Sequence, residues 1–239
     1  GEHNLLTVTA DVPREEHNRW YTGGGIYRPV NLFVADKRHI DLYGLKITTL
    51  SIHPARIRVD VHHTGGEKIH VAIYDGRQLI AEVSGQAPFE INVPDAKLWS
   101  AEMPHLYQAR AELIAQGSVV DTAEETFGIR TVTVQPEKGL LVNGVPTFLR
   151  GGCIHNDNGV IGVINNDVTE LRRAWIIKRA GFNAIRSAHH PMSRSLMKAC
   201  DEVGLYVMDE AFDSWYRPKV MNPYVKRFMD SYLSDTRLM

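Results

Sequence analysis

The sequence predicts two folds in succession: an all-β sandwich of immunoglobulin type, and after it a segment of parallel β/α structure. Before about residue 135, apolar and polar residues mostly alternate with a period of two, which is typical of half-buried strands. After it, short apolar runs alternate with segments that carry helix-capping signals, which favours a parallel sheet with helical crossovers. The 239 residues are enough for one large domain or two ordinary ones.

The first zone contains several short strands separated by turn residues. Alternation over residues 57–61 and again over 69–73, around Thr64-Gly65-Gly66, predicts a hairpin with one buried face. Further strands are expected at 81–83, 89–93, 106–113 and 119–127. Strands of this length and spacing are typical of an immunoglobulin-like sandwich, although the Cys…Trp…Cys pattern of antibody domains is absent from the sequence.

The second zone reads as strand, helix, strand, helix, strand. Strands are expected at 147–150, 182–187 and 205–209. Asp167 followed by Glu170 predicts the start of the first helix, and Ser193 predicts the cap of the second. Gly181 and Gly204 are expected to end these helices. A hairpin with an Asn-Gly turn is predicted over residues 139–144, where the zones join.

Composition excludes several function classes. A formal net charge of −1 gives no electrostatic reason to expect nucleic acid or a membrane as partner. No apolar run approaches the roughly 18 residues that a membrane-spanning helix needs. Cys153 and Cys200 form neither a disulfide framework nor a zinc motif, so both are expected to be free thiols. The sequence leaves the compartment open and is compatible with a homo-oligomer.

Polar residues follow each predicted strand of the second zone. The carboxyl ends of parallel strands meet at one edge, where ligands bind in β/α folds. His155 and Asp157 follow the first strand, His189 follows the second, and Glu210 and Trp215 follow the third. Each could instead be an ordinary loop residue or, for Trp215, part of the core. Their convergence at one edge favours a functional site.

Several ordered motifs resemble glycoside hydrolase family 2. The similarity is carried by F-N-A-I-R-S-A-H-H-P at 182–191, by C-D-E-V-G-L-Y-V-M-D-E at 200–210, and by Leu149-Arg150-Gly151 with His155 and Asp157. Upstream, R-W-Y-T-G-G-G-I-Y-R-P-V at 19–30 resembles the end of the family's jelly-roll domain. Residues 98–107 and 127–130 resemble its immunoglobulin-like domain.

The resemblance implies a domain order and a binding site. It places the end of a jelly-roll sugar-binding domain at 1–30, the sandwich at 31–134, and the first part of a (β/α)8 TIM barrel at 135–239. It also implies that a set of side chains lines or borders the subsite for the terminal sugar, with Arg186 orienting the family's nucleophile. The substrate-binding residues implied in this way are His155, Asp157, Arg186, His189, Glu210 and Trp215.

The resemblance implies a retaining β-glycosidase that acts on terminal β-linked sugars in carbohydrates, with β-galactosidase ahead of β-glucuronidase and β-mannosidase. The acid/base and nucleophile glutamates of the family match nothing in these residues, so the isolated segment is expected to be inactive. No cofactor is expected. No metal is expected either, because Ser214 and Tyr216 stand where magnesium-binding members carry ligands. The alternatives are a non-catalytic carbohydrate-binding or interaction module and a purely structural segment.

Overall fold

The computed structural model describes residues 3, 5–11, 25–217 and 224–238, with the side chains of 224–227 and 238 left out of the description. It divides into two compact units, one of residues 32–149 and one of residues 1–31 with 150–239. Most of the segment predicted to end a jelly roll lies outside the described residues. Within the described ranges, no helix is both long and apolar enough to cross a membrane.

Two antiparallel sheets form the first unit's sandwich. One has the order β1-β2-β5, and the other has the order β4-β3-β6-β7. The strands are β1 (His39–Ile52), β2 (Ala55–Thr64), β3 (Lys68–Asp75), β4 (Gln78–Gly85), β5 (Phe89–Asn92), β6 (Tyr107–Ala115) and β7 (Ser118–Phe127). Strand β1 is missing from the sequence-based prediction.

The core of the sandwich comes from alternate residues of both sheets. Ile57 and Val59 of β2 are fully buried together with Ile69, Val71 and Ile73 of β3. The same cluster includes inward residues of β5 and β6. Period-two alternation therefore predicted the buried faces, as expected for strands with one face against a core.

The predicted hairpin across the Gly65-Gly66 turn is wrong. β2 pairs with β1 and β5, whereas β3 pairs with β4 and β6, so the chain changes sheets at this turn. The alternation shows which side chains are buried. It does not show whether two consecutive strands pair within one sheet or face each other from the two sheets of a sandwich, because the pattern is the same in both cases.

A small antiparallel sheet with the order β10-β9-β8 follows, made of β8 (Val132–Gln135), β9 (Gly139–Val142) and β10 (Val145–Pro146). The predicted Asn143-Gly144 turn joins β9 to β10, and both residues have positive φ, at 53° and 78°. The Asn143 side chain also accepts from the Thr131 N–H at 3.0 Å and donates to the Trp99 carbonyl at 3.0 Å. The turn therefore also ties the small sheet to the sandwich core.

The second unit contains a parallel sheet with the order β11-β12-β13. Its elements are β11 (Gly151–Ile154), α1 (Asp167–Arg179), β12 (Ala184–Ser187), α2 (Arg194–Val203), β13 (Tyr206–Met208) and α3 (Tyr224–Leu238). The first strand lies after the apolar run at 147–150 that was predicted to form it. Gly151 and Gly152 gave no sequence signal for a strand, since glycine has low strand propensity.

Helix ends follow the predicted chemistry with one correction. Asn166, rather than Asp167, caps α1, because its side chain accepts from the Thr169 N–H. Ser193 caps α2, as predicted, by accepting from the Leu196 N–H. Gly204 ends α2 in the left-handed conformation at φ 84°. These caps fix where α1 and α2 start, and where α2 ends, relative to the neighbouring strands.

Gly128 provides a test of packing in the sandwich. A Cβ atom at this position would lie 2.7 Å from Cβ and 2.8 Å from Cγ of Trp99. Trp99 is almost fully buried and its ring is covered by the Arg130 guanidinium at 4.3 Å. We expect Gly128→Ala to lower the free energy of unfolding by about 1–3 kcal/mol through overpacking. Urea unfolding would measure this.

The matched control for Gly128→Ala is Thr126→Ala, since Thr126 is exposed on the neighbouring strand β7. We expect the control to change the free energy of unfolding by less than about 0.5 kcal/mol. Equal effects of the two substitutions would contradict the packing argument.

Candidate functional site

Three strand ends bring the site together. In the sheet, Cys153 lies beside Arg186, and Arg186 lies beside Met208. The loops after β11, β12 and β13 therefore leave from one edge and carry His155, His189 and Glu210. This is the edge at which parallel β/α sheets bind ligands.

An ion pair between Arg186 and Glu210 lies at the centre of this edge. Nε and Nη2 of Arg186 each lie 2.5 Å from Oε1 of Glu210, and Nη1 donates to Sγ of Cys153 at 3.1 Å. Contacts with Cys153 and Glu210 raise the pKa of Arg186. Partial burial alone would raise the pKa of Glu210, but hydrogen bonds from the His189 backbone and Arg186 outweigh it and lower that pKa. Both groups are therefore ionised at neutral pH.

The second carboxylate oxygen of Glu210 holds the loop after β12. Oε2 accepts from the His189 backbone N–H at 2.7 Å. His189 has a φ of 79°, a left-handed conformation that is uncommon for a residue other than glycine. Strain of this kind persists where surrounding contacts impose it, and it is concentrated at functional sites. Glu210 thus links the position of Arg186 to the conformation of His189.

A buried serine aligns the end of β13 with the end of β12. The fully buried Ser187 donates from Oγ to Oδ1 of Asp209 at 2.5 Å and accepts from the Glu210 N–H at 2.7 Å. Asp209 Oδ1 also accepts from the Met192 N–H at 3.2 Å. Neither Ser187 nor Asp209 was predicted as a site residue. A serine that ends one apolar run and an acidic residue that ends the next are equally compatible with ordinary polar residues at strand ends.

Two imidazoles lie face to face at the same edge. The rings of His155 and His189 are stacked with centroids 5.2 Å apart and planes inclined by 23°. Nδ1 of His189 lies 2.7 Å from Oδ1 of Asp213, another residue missed as a site candidate. Burial lowers the pKa of the adjacent His190, which keeps that imidazole neutral at neutral pH. Imidazoles in such positions can both donate to and accept from hydroxyl groups.

The remaining two predicted residues are more exposed. Asp157 points into solvent from the loop after β11. Trp215 is 59% exposed, donates from Nε1 to the Phe212 carbonyl at 3.3 Å, and stacks parallel to Phe228 of α3 at 6.4 Å. Trp215 borders a cavity of about 840 Å³ whose lining also includes Arg186, Glu210, Asp213 and Tyr232. The ion pair and the aromatic side chains thus face one space.

Comparison with known proteins identifies the family. The model described as "Glycosyl hydrolases family 2" matches residues 40–130. The model described as "Glycosyl hydrolases family 2, TIM barrel domain" matches residues 132–229. The chain belongs to glycosyl hydrolase family 2. Its predicted fold class is confirmed: a family 2 sandwich domain is followed by the start of the family's TIM barrel.

Family 2 relatives of two specificities resemble this chain. A β-galactosidase of Bacteroides ovatus is 30% identical over 98% of the chain and 30% of its own length. A solved family 2 structure from Bacteroides cellulosilyticus has a TM-score of 0.80 and 33% identity over 91% of the chain and 30% of its own. The Bifidobacterium dentium β-glucuronidase, solved with coumarin-3-O-glucuronide, has a TM-score of 0.70 and 30% identity over 80% of the chain and 34% of its own. The chain therefore spans about a third of these relatives.

The described residues of this family 2 chain offer no cluster of three or more His, Cys, Asp or Glu side chains that could hold a metal ion. Ser214, which is buried, and Tyr216, which is exposed, occupy the two positions where the resemblance implied metal ligands in other members. Neither residue has a carboxylate or an imidazole. The expectation that no metal is needed stays a prediction.

The two cysteines provide a test of the site's surface. Cys153 is exposed at the end of β11, whereas Cys200 is buried in α2 and burial raises the pKa of its thiol to about 12. Because the thiolate is the reactive form, we expect iodoacetamide at mildly alkaline pH to modify Cys153 and spare Cys200. Mass spectrometry of tryptic peptides would locate the modification.

In the same experiment, Cys153→Ser should leave the native chain unmodified, and denaturant should make Cys200 reactive. Modification of Cys200 in the native chain would contradict the burial of α2 against the sheet.

Proposed function

We propose that this chain provides the subsite for the terminal sugar in a retaining β-glycosidase, with β-galactosides as the preferred substrates. The observation that carries the proposal is the convergence of His155, Arg186, His189 and Glu210 at one edge of the parallel sheet. Asp157 and Trp215 are assigned to the rim of the same subsite. The similarity to family 2 glycosidases supports the reaction class.

The chemistry of the edge suits a neutral sugar. Stacked imidazoles offer donors and acceptors for hydroxyl groups, and an aromatic face such as that of Trp215 can cover a sugar ring. The guanidinium of Arg186 is bonded to Glu210, and the role that the family resemblance implies for it is to orient the nucleophile. Arg186 is therefore not assigned to a sugar carboxylate, which favours galactose over a uronic acid.

β-Glucuronidase is the second candidate. The structural similarity to the Bifidobacterium dentium enzyme supports it, and Arg217 in the cavity lining could receive a sugar carboxylate. β-Mannosidase stays open as a third specificity, and a non-catalytic carbohydrate-binding module would bind sugar without hydrolysing it. Comparing turnover of p-nitrophenyl β-galactoside, β-glucuronide and β-mannoside distinguishes the three specificities, and a non-catalytic module would turn over none of them.

Two carboxylates of the described site, those of Glu210 and Asp209, are engaged in structural contacts. Glu210 uses one oxygen for Arg186 and the other for the His189 backbone, and Asp209 accepts from Ser187 and Met192. Retaining hydrolysis needs an acid/base and a nucleophile roughly 5–5.5 Å apart. We propose that both come from a part of the longer family 2 protein other than residues 1–239.

The subsite can be tested in the protein made from its complete reading frame. We expect it to hydrolyse p-nitrophenyl β-galactoside, and we expect His189→Ala to lower kcat/KM by roughly 100-fold through loss of a positioned sugar contact. Steady-state kinetics would measure this. The control is His62→Ala, since His62 is exposed on the sandwich strand β2 and should leave kcat/KM unchanged. Full activity of His189→Ala would defeat the assignment of the subsite.

The origin of the catalytic pair can be tested with residues 1–239 alone. We expect no turnover of any of the three chromogenic substrates, because Glu210 and Asp209 are committed to other contacts and the catalytic pair is proposed to lie outside this segment. Turnover by the purified segment that is abolished by His189→Ala would show that the segment contains its own catalytic pair.

A further inference from the structure

Helix α1 carries a carboxylate in a buried position. Glu170 is fully buried in its first turn, on the side that faces the loop after β11. A buried charge is costly unless hydrogen bonds and opposite charges replace the lost water. The contacts of Glu170 therefore indicate why it is there.

Two asparagines of the preceding loop bind the same carboxylate oxygen. Nδ2 of Asn158 and Nδ2 of Asn165 each donate to Oε1 of Glu170 at 2.6 Å. Asn158 lies near the start of the loop between β11 and α1, and Asn165 lies near its end. Glu170 thus closes the loop by holding two points seven positions apart in the sequence.

Arg173, one turn along α1, extends this arrangement to the start of the loop. Its Nη1 lies 3.7 Å from Oε2 of Glu170, and its Nη2 donates to the His155 carbonyl at 2.5 Å. His155 is the residue whose ring stacks on His189. The buried carboxylate is therefore connected to the sugar-facing imidazole through one side chain.

Apolar packing contributes little to the tip of this loop. Val160 and Ile164 are exposed, and the 3₁₀ turn Gly159–Ile161 contains no buried residue, so that Val163 is the buried apolar side chain of this loop. Backbone hydrogen bonds also support the loop, from Asn158 N–H to the Gly162 carbonyl at 2.6 Å, from Gly162 N–H to the Gly159 carbonyl at 3.2 Å, and from Asn165 N–H to the Tyr27 carbonyl at 3.1 Å. Polar contacts to α1 therefore add to the limited apolar packing of this loop.

We propose that Glu170 is a positioning residue for the sugar subsite: with Arg173, it holds the loop of residues 155–165 so that His155 stays stacked on His189. This inference rests on the proposed function for its consequence in sugar binding. The loop-holding contacts themselves are a property of the described residues. Glu170 touches no reacting group, so its effect on the sugar passes through the loop.

The test compares Glu170→Gln and Glu170→Leu with the parent protein made from its complete reading frame. Glutamine keeps an oxygen for the asparagine amides but loses the charge beside Arg173, whereas leucine removes all of these contacts. The matched control is Lys178→Met, since Lys178 anchors the other end of α1 by donating to the Gly204 carbonyl at 2.7 Å. The control weakens the helix without touching the loop.

Two measurements separate positioning from general stability. Hydrogen–deuterium exchange of peptides covering residues 155–165 should be about tenfold faster in Glu170→Leu, less so in Glu170→Gln, and unchanged in Lys178→Met. KM for p-nitrophenyl β-galactoside should rise roughly tenfold in Glu170→Leu, and partial recovery is expected in Glu170→Gln. The control should lower Tm while leaving KM unchanged.

The outcomes distinguish this inference from the proposed function. Unchanged loop exchange in both Glu170 variants overturns the inference, as does a rise in KM of equal size in Lys178→Met. If the parent protein neither binds nor hydrolyses sugars, the proposed function fails, and loop exchange alone decides whether Glu170 holds the loop. Should Glu170→Leu not fold, Glu170→Gln carries both measurements.

Discussion

The site depends on the parallel alignment of three short strands. β11, β12 and β13 run in the same direction in adjacent positions, so residues far apart in sequence leave the sheet at one edge. Cys153, Arg186 and Met208 are neighbours across the sheet for this reason alone. Any slip in this register would move Arg186 away from Glu210 and remove the central ion pair.

Several polar groups at this edge build it by bonding to one another. Ser187 and Asp209 satisfy each other and nearby backbone groups within the sheet end. Glu210 joins Arg186 to the backbone of His189. With their hydrogen-bonding capacity used in this way, these groups give a rigid floor. Under the proposed function, the rings of His155, His189 and Trp215 are the surfaces that a sugar would meet above this floor.

Sequence patterns predicted the buried faces of the strands, and the positions of the residues at the strand ends, better than the strand pairing. Alternation identified the buried residues of β2 and β3 but could not show that the chain changes sheets between them. Strand ends predicted His155 and His189 because parallel topology determines where those residues lie. In the sequence, Glu170 was interpreted as part of the start of α1. Its burial could not be predicted, because it depends on how the preceding loop, which has no regular hydrophobic period, folds over the helix. Such contacts depend on tertiary structure and leave no local signature.

The double attachment of Glu210 has a consequence for how this site can diversify. Its two oxygens serve different loops, one through the guanidinium of Arg186 and one through the main chain at His189. A replacement of Arg186 or Glu210 changes the support of the main chain at His189, so mutational effects at Arg186 and Glu210 are coupled rather than additive. Under the proposed function, a change of sugar preference that replaces Arg186 would then be tolerated most readily when Glu210 changes with it.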